Sequence, residues 1–261
     1  MEKGTLIGLP VCFLAMIVGA VLKGANPVAL FTNAPAMIIV FVGALSATMI
    51  SMSWKDTANF PKYFKKALSP GPEHDTREQI EQIVTLTNRA RTEGLLALDE
   101  EAKNIEDPFF RRGIQMAVDG TDPQQLAMAM NAEVKALQER HKIGQQWFTQ
   151  AGIFAPTFGI IGAVFGLMAV MAKLDDPSHL GSGIAAAFVA TFWGVFLANG
   201  VFLPMANKLK RLSGEEVASM KLTIEGVLAI QAGTSPRVVE QSLLAHLPPA
   251  QRTIESDDKA A

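Results

Sequence analysis

Residues Ile143 to Ala172 read IGQQWFTQAGIFAPTFGIIGAVFGLMAVMA, 30 consecutive positions without Asp, Glu, Lys or Arg. A bilayer core is crossed by about 20 predominantly apolar residues in helical form, and about 18 without charge already mark a candidate span. Three other stretches repeat the pattern: Thr5 to Leu22 with 18 residues, Gly24 to Trp54 with 31, and Pro177 to Asn207 with 31, broken only by His179. Spans are predicted near 5–22, 35–53, 151–172 and 183–204. The chain therefore reads as an all-α, polytopic membrane protein with four transmembrane helices and a helical cytoplasmic domain.

Composition agrees. Of 261 residues, 49% are hydrophobic and 18% charged, with 23 Lys+Arg against 25 Asp+Glu. Soluble domains carry about 25% charged residues, and the mean hydropathy here is +0.23. Neither a disordered chain nor a basic nucleic-acid-binding protein fits this balance. The single cysteine, Cys12, excludes an internal disulfide framework, and no Cys/His cluster suggests a metal. No nucleophile-base pair is visible, so no enzyme is expected. A cleaved signal peptide ending near Val18-Gly19-Ala20 competes with the first span, but its n-region would be only Met1-Glu2-Lys3.

Basic residues orient the spans. Thirteen of the Lys and Arg residues lie between spans two and three, led by Lys55, Lys62, Lys65 and Lys66. Seven lie after span four, beginning with Lys208, Lys210 and Arg211, whereas the short loops at 24–34 and 173–182 hold only Lys173. The positive-inside rule places both termini and the central segment in the cytoplasm. The expected organisation is spans one and two within 1–53, a cytoplasmic domain over 54–150, spans three and four within 151–207, and a cytoplasmic tail over 208–261.

Within the cytoplasmic parts, Ser69-Pro70-Gly71-Pro72 reads as a turn. From Thr76 a helical period carries Ile80, Ile83, Val84, Thr87, Ala90 and Leu95, with Glu78, Glu81, Arg89 and Arg91 between. Asp107-Pro108 opens another helix. In Asp119-Gly120-Thr121-Asp122-Pro123 the last Asp caps a helix over 123–142 that runs on towards span three. Leu209 to Ile230 continues span four. A break at Gly233-Thr234-Ser235-Pro236 precedes an amphipathic helix with Val238, Val239, Leu243 and Leu247, and 248–261 reads as a frayed end.

No Asp, Glu, Lys, Arg or His lies in the core of a span. Such residues are costly in a membrane and mark ion relays, so any carboxylate for ion transfer must come from another chain. The spans hold small residues instead, which let helices approach closely: Gly159, Gly162 and Gly166 on span three, and Ala185, Ala186, Ala187, Ala190, Gly194 and Ala198 on span four. Such ridges serve helix packing or present one face to a partner helix. Thr191, near mid-span, either bonds its own helix or borders an ion path. Pro156 and Pro204 each remove a backbone hydrogen bond and permit a kink.

These residues resemble a known signature. Ala155-Pro156-Thr157-Phe158-Gly159 through Met168, then Leu180-Gly181 and Ala185 through Gly194, are similar to the MotA family of flagellar stator subunits, which includes the sodium-type PomA. Ala198-Asn199, Leu203-Pro204, Glu93 to Leu98, Ala117 to Pro123 and Ser235-Pro236-Arg237 extend the resemblance over nearly the whole chain. The resemblance implies a homopentamer in the bacterial inner membrane around a dimeric MotB-like partner that supplies an Asp. Ion flow past that Asp would turn the ring and drive the rotor protein FliG, with no cofactor. Carried over by position, Thr191, Pro156 and Pro204 belong to the ion path, and Arg91 and Asp99, with Glu93, Glu100 and Glu101, face the rotor. Ala163 stands where sodium-driven relatives carry a Thr. Losing that hydroxyl removes one oxygen from a hard-cation site, so H⁺ is expected rather than Na⁺. Membrane lipids are expected partners and nucleic acid is not. Two alternatives stand beside this reading: an ExbB/TolQ-like energiser, which normally has three spans, and a passive membrane scaffold, which would need packing glycines but not Pro156, Pro204 and Thr191.

Overall fold

A computed structural model describes residues 3–71, 75–172 and 180–252. The expectations for Pro72, for the 173–179 part of the second short loop and for the tail from 253 lie outside them. Among the described residues every regular element is helical. The four expected spans lie on four helices long and apolar enough to cross a membrane.

Helix α1 (Lys3–Leu22) has no buried residue. Leu6, Ile7, Val11, Leu14, Val18 and Val21 are all more than half exposed, an arrangement that water would penalise and lipid solvates. A single turn at Ala29–Thr32 leads to α2 (Ala34–Ser51). Asn33 Oδ1 caps α2 by accepting from the Ala36 amide at 3.3 Å, and Pro35 sits in the first turn, where its missing N–H costs nothing. Within α2, Ile38–Val42 winds as a π-helix. Two short helices follow, α3 (Trp54–Ala58) and α4 (Phe60–Leu68).

Helix α5 (Thr76–Glu93) starts on Asp75, whose carboxylate accepts from the amides of Arg77 and Glu78. It stops earlier than the periodicity suggests. Gly94 takes φ +87°, a conformation that ends helices and suits glycine, so Leu95 falls in a 3-10 turn, Leu95–Ala97. A helix absent from the sequence reading follows, α6 (Leu98–Asn104). Asp107 caps α7 (Pro108–Val118), and Asp122 accepts from the amides of Gln124 and Gln125 at the start of α8 (Pro123–Met171). Helices α8 and α9 (Leu180–Gln231) are 49 and 52 residues long. Each joins a polar half to an apolar one. Helix α10 (Pro236–Leu244) buries Val239, Leu243 and Leu244, but Val238 is 55% exposed: it lies about 100° round the helix from Val239. Leu247 lies beyond the helix end and is still buried.

The chain divides into two compact units, Met1–Gly71 with Arg140–Leu212, and Pro72–Glu139 with Ser213–Ala261. These changeovers differ from the charge boundaries expected at 53/54, 150/151 and 207/208. The first unit also takes in α3 and α4, because Phe60 stacks on Trp147 of α8 with centroids 3.9 Å apart and leans on Phe148 at 5.8 Å. Its core holds Val40, Ala44, Phe148, Ala155, Ala190, Trp193 and Ala198. The second unit is an ordinary globular core, with Ile80, Ile83, Leu98, Phe110, Ile114, Leu126, Leu222, Val227, Ile230 and Leu243 all at or below 2% exposure. Gln79 ties α5 to α9 by donating to Thr223 Oγ1 at 2.6 Å and accepting from Ser219 Oγ at 2.9 Å.

Two predictions follow from this packing. A Cβ at Gly194 would lie 2.6 Å from the Ala155 carbonyl oxygen and 3.0 Å from Gly159 Cα, whereas one at Gly181 meets nothing within 4 Å. Gly194→Ala should cost about 1–3 kcal/mol through overpacking and lower the Tm of the purified protein in detergent; Gly181→Ala should leave it unchanged or raise it. In the second unit, Ser242 donates to Glu225 Oε1 at 2.6 Å, and His246 Nε2 lies 2.9 Å from Oε2. The Ser242 hydrogen bond, and His246 after it, hold the Glu225 carboxyl below its ordinary value against the opposing effect of burial. The stabilisation is thus present above the unfolded-state value and lost as pH falls through the lower folded one. Between about pH 6 and about pH 3 the Tm of wild type should fall further than that of Glu225→Gln, by a stability difference under about 1 kcal/mol for so exposed a pair.

Candidate functional site

Helices α8 and α9 are antiparallel, and glycine contacts fix their register. A Cβ on Gly152 would fall 2.8 Å from Leu203 Cδ2, one on Gly159 3.0 Å from the Ala190 oxygen and 3.2 Å from Gly194 Cα, one on Gly162 2.7 Å from Ala190 Cβ, and one on Gly166 3.0 Å from Ala187 Cβ. The two small-residue ridges therefore face each other, and the close partner of each span is the other. Backbone-to-backbone contact of this kind is available only to Gly and its nearest neighbours in size.

The register brings the expected ion-path residues to two levels. Ala163, beside Gly162, is level with Ala190 and Thr191. Pro156 is level with Leu197, and Pro204 follows Leu203, which meets Gly152 one turn before Pro156 on α8. The prolines sit at opposite ends of their spans in sequence, yet the antiparallel pairing sets them at the same end in space. Pro156 leaves the Gly152 carbonyl without its usual helical donor, since proline has no N–H. Pro204 lies two residues after a π-helical segment, Leu197–Phe202. Single π turns in α-helices frequently accompany functional sites, and α2 carries a second one at Ile38–Val42.

Thr191 differs from Thr48 and Thr157 of the other spans. Thr48 donates to the Ala44 carbonyl at 2.8 Å and Thr157 to the Phe154 carbonyl at 2.6 Å, both good O–H···O distances. Thr191 reaches the Ala187 carbonyl only at 3.5 Å, at the outer limit of such a bond. Its half-buried hydroxyl is scarcely engaged with its own helix. Two polar ties fix α9 nearby: Trp193 Nε1 donates to the Leu30 carbonyl at 2.7 Å, and Asn33 Nδ2 donates to the Ala186 carbonyl at 3.2 Å. Trp193 also packs edge-on against Phe31, with centroids 5.5 Å apart.

In the second unit the expected rotor-facing residues gather where α5 turns into α6. The ion pair at this corner is made by Arg89, not by Arg91. Arg89 Nε donates to Glu93 at 3.2 Å, and Nη1 donates to Glu101 in a close contact. The Glu93 hydrogen bond first, and then the Glu101 carboxylate, hold the guanidinium above its ordinary value. Glu93 and Glu101 are therefore anchored. Arg91 is exposed and enters none of the described ion pairs. Asp99 has only a 3.8 Å contact with Lys103, both side chains more than half exposed, and Glu100 is exposed. Leu96, at 78% exposure, is the apolar tip of the same corner. The spacing of Arg89 and Glu93 by four on a helix was a readable signal for the tie; the 12-residue reach to Glu101 depends on the Gly94 turn and was not.

Comparison with known proteins extends this picture. The MotA/TolQ/ExbB proton channel family matches residues 101–222. Motility protein A of Bacillus subtilis (strain 168) is 40% identical over 252 residues, 97% of this chain and 93% of that protein. Chemotaxis protein PomA of Vibrio alginolyticus is 32% identical over 258 residues, 99% of this chain and 100% of that one. Among solved structures, the flagellar MotAB stator complex from Bacillus subtilis matches with a TM-score of 0.90 at 39% identity, over 96% of this chain and 98% of its own. C. jejuni MotAB matches with a TM-score of 0.91 at 29% identity, over 98% and 100%. A likeness that runs the full length, through all four spans, the glycine ridges and the charged corner, places this chain in the MotA family of flagellar stator proteins.

Proposed function

We propose that this chain is a flagellar motor stator subunit that forms, with a MotB-like partner, an ion channel converting transmembrane proton flow into torque on the rotor protein FliG. The observation that carries the reading is the α8–α9 pair. It presents a poorly engaged Thr191 hydroxyl on a residue packed against Gly159, near the level of Ala163, on two spans that hold no carboxylate of their own. A channel built on this surface needs a titratable group from a second chain, and a partner helix bearing an Asp supplies it. One elementary charge crossing about 100 mV releases about 2.3 kcal/mol, enough to shift helices whose backbone ladders are already interrupted at Pro156 and before Pro204.

The chain sits in the bacterial inner membrane with both termini in the cytoplasm, as the Lys and Arg distribution supports, and five copies surround a partner dimer. Proton coupling is favoured over sodium because the position of Ala163 lacks a hydroxyl to replace part of a Na⁺ hydration shell. The rotor meets Arg91, Asp99 and Glu100, whose charges are exposed and lose little on meeting a partner. Glu93 and Glu101, fixed by Arg89, hold the corner in shape.

Charge reversal tests the rotor contact. Arg91→Glu and Asp99→Lys should each slow swimming markedly while leaving membrane insertion and partner binding intact, and the double reversal should recover part of the speed; unchanged swimming in both single variants would sink the assignment. The coupling ion is read from swimming speed while external Na⁺ and a protonophore are varied separately. Collapse with the protonophore and indifference to Na⁺ are expected. Dependence on Na⁺ would overturn the inference from Ala163, and a chain that supports no motility under either condition would be an energiser or a scaffold.

A further inference from the structure

On the first unit, α3, α4, the 140–144 part of α8 and Leu209 of α9 enclose a groove of about 490 Å³. It contributes to neither the Thr191 surface nor the charged corner. Lys55, Lys62, Lys66 and Arg140 line it against a single carboxylate, Asp56, with Asn59, Tyr63 and His141 beside them. Asp56 is already engaged, accepting from Ser53 Oγ at 2.6 Å. Lys66 Nζ lies 3.0 Å from His141 Nε2, which ties α4 to α8 across the groove. The walls are built rather than incidental. Tyr63 meets α8 at Gly144, where a Cβ would come within 3.1 Å of its ring, and the Phe60–Trp147 stack clamps α4 onto α8 just behind. Burial, and then the Asp56 carboxylate, raise the Tyr63 phenol above its ordinary value, which keeps it a hydrogen-bond donor.

The groove lies at the edge of the apolar spans. Helix α2 ends at Ser51, only four residues before Lys55; Ile143 and Gly144 open the charge-free run of α8; and Leu209 lies two residues past Asn207, where the charge-free run of α9 ends. Trp54 is 77% exposed and Phe64 37% exposed, placing aromatic rings beside the basic residues as at membrane–water boundaries. Basic pockets between transmembrane helices on the cytoplasmic side bind lipid headgroups. We infer that this groove holds the phosphate of an anionic phospholipid, with Lys62, Lys66 and Arg140 around the headgroup and Trp54 and Phe64 against the upper acyl chains. The inference rests on the membrane reading of the four spans, and its readout needs neither ion flow nor a rotor.

The test uses the full chain co-purified with its partner in detergent, with palmitoyl-oleoyl phosphatidylglycerol or phosphatidylcholine added and retained lipid counted by native mass spectrometry. Phosphatidylglycerol should be retained and phosphatidylcholine not. The double variant Lys62→Gln/Arg140→Gln should bind phosphatidylglycerol about thirtyfold more weakly, about fivefold for each cation removed near a lipid surface. The charge-keeping exchange Lys62→Arg/Arg140→Lys should bind as wild type does, and so should the control Lys221→Gln/Arg237→Gln, whose residues belong to the second unit and do not line the groove. If the first variant does not assemble with the partner, the single change Lys62→Gln replaces it, with about a fivefold loss expected. Equal retention of both lipids, or an equal loss in the second-unit control, would overturn the site. Displacement of the lipid by millimolar inorganic phosphate would overturn the lipid assignment in favour of a free anion. Wild-type lipid binding with failed swimming, or the reverse, separates this inference from the stator reading.

Discussion

The membrane part of this chain depends on the absence of side chains at Gly159 and Gly194. Their α carbons come so close that a methyl at either position would meet the opposing backbone rather than a movable side-chain end. In lipid there is little hydrophobic gain in bringing two apolar helices together, so close van der Waals contact must do the work. Once this contact is made, the antiparallel register follows from it. The levels of Ala163, Thr191, Pro156 and the π-helical turn are set by a few glycines rather than by polar bonds.

The polar half of the chain works by the opposite rule. Its core is a conventional one, mainly of Ile, Leu, Phe and Val and buried throughout, and its charged corner is ordered by an arginine between two carboxylates. Charge is divided between holding and meeting. Arg89 consumes Glu93 and Glu101, which leaves Arg91, Asp99 and Glu100 facing solvent. A partner that docks on these three displaces water from exposed groups only, and such contacts govern encounter rate and register more than raw affinity.

Much of this was legible in the residues, for physical reasons that differ by element. The spans could be read because charge in hydrocarbon is so costly that its absence over 30 positions has few other causes. The caps at Asp75, Asp107 and Asp122 could be read because a short acceptor before a helix satisfies amides that have no other partner. The stop at Gly94 was passed over, since Leu95 continues the apolar period and only the positive φ of the glycine breaks it. With that stop went helix α6 and the Arg89–Glu101 contact. The π-helical turns were not legible either: a single extra residue in a helical ladder leaves no compositional mark when every neighbour is apolar. The family resemblance points to Thr191, and its longer hydrogen bond sets it apart from Thr48 and Thr157.

Helix α1 has no buried residue, whereas almost half of the apolar window of α9, 44%, is buried against the rest of the chain. Transfer of Leu, Ile, Val and Phe into a bilayer is favourable by about 0.3–0.6 kcal/mol each, so α1 has several kcal/mol of insertion energy that owes nothing to its neighbours. The spans thus divide biogenesis between them. Span α1 can partition into lipid without tertiary contacts, whereas α9 gains much of its burial by meeting α8, so insertion and folding draw on different surfaces.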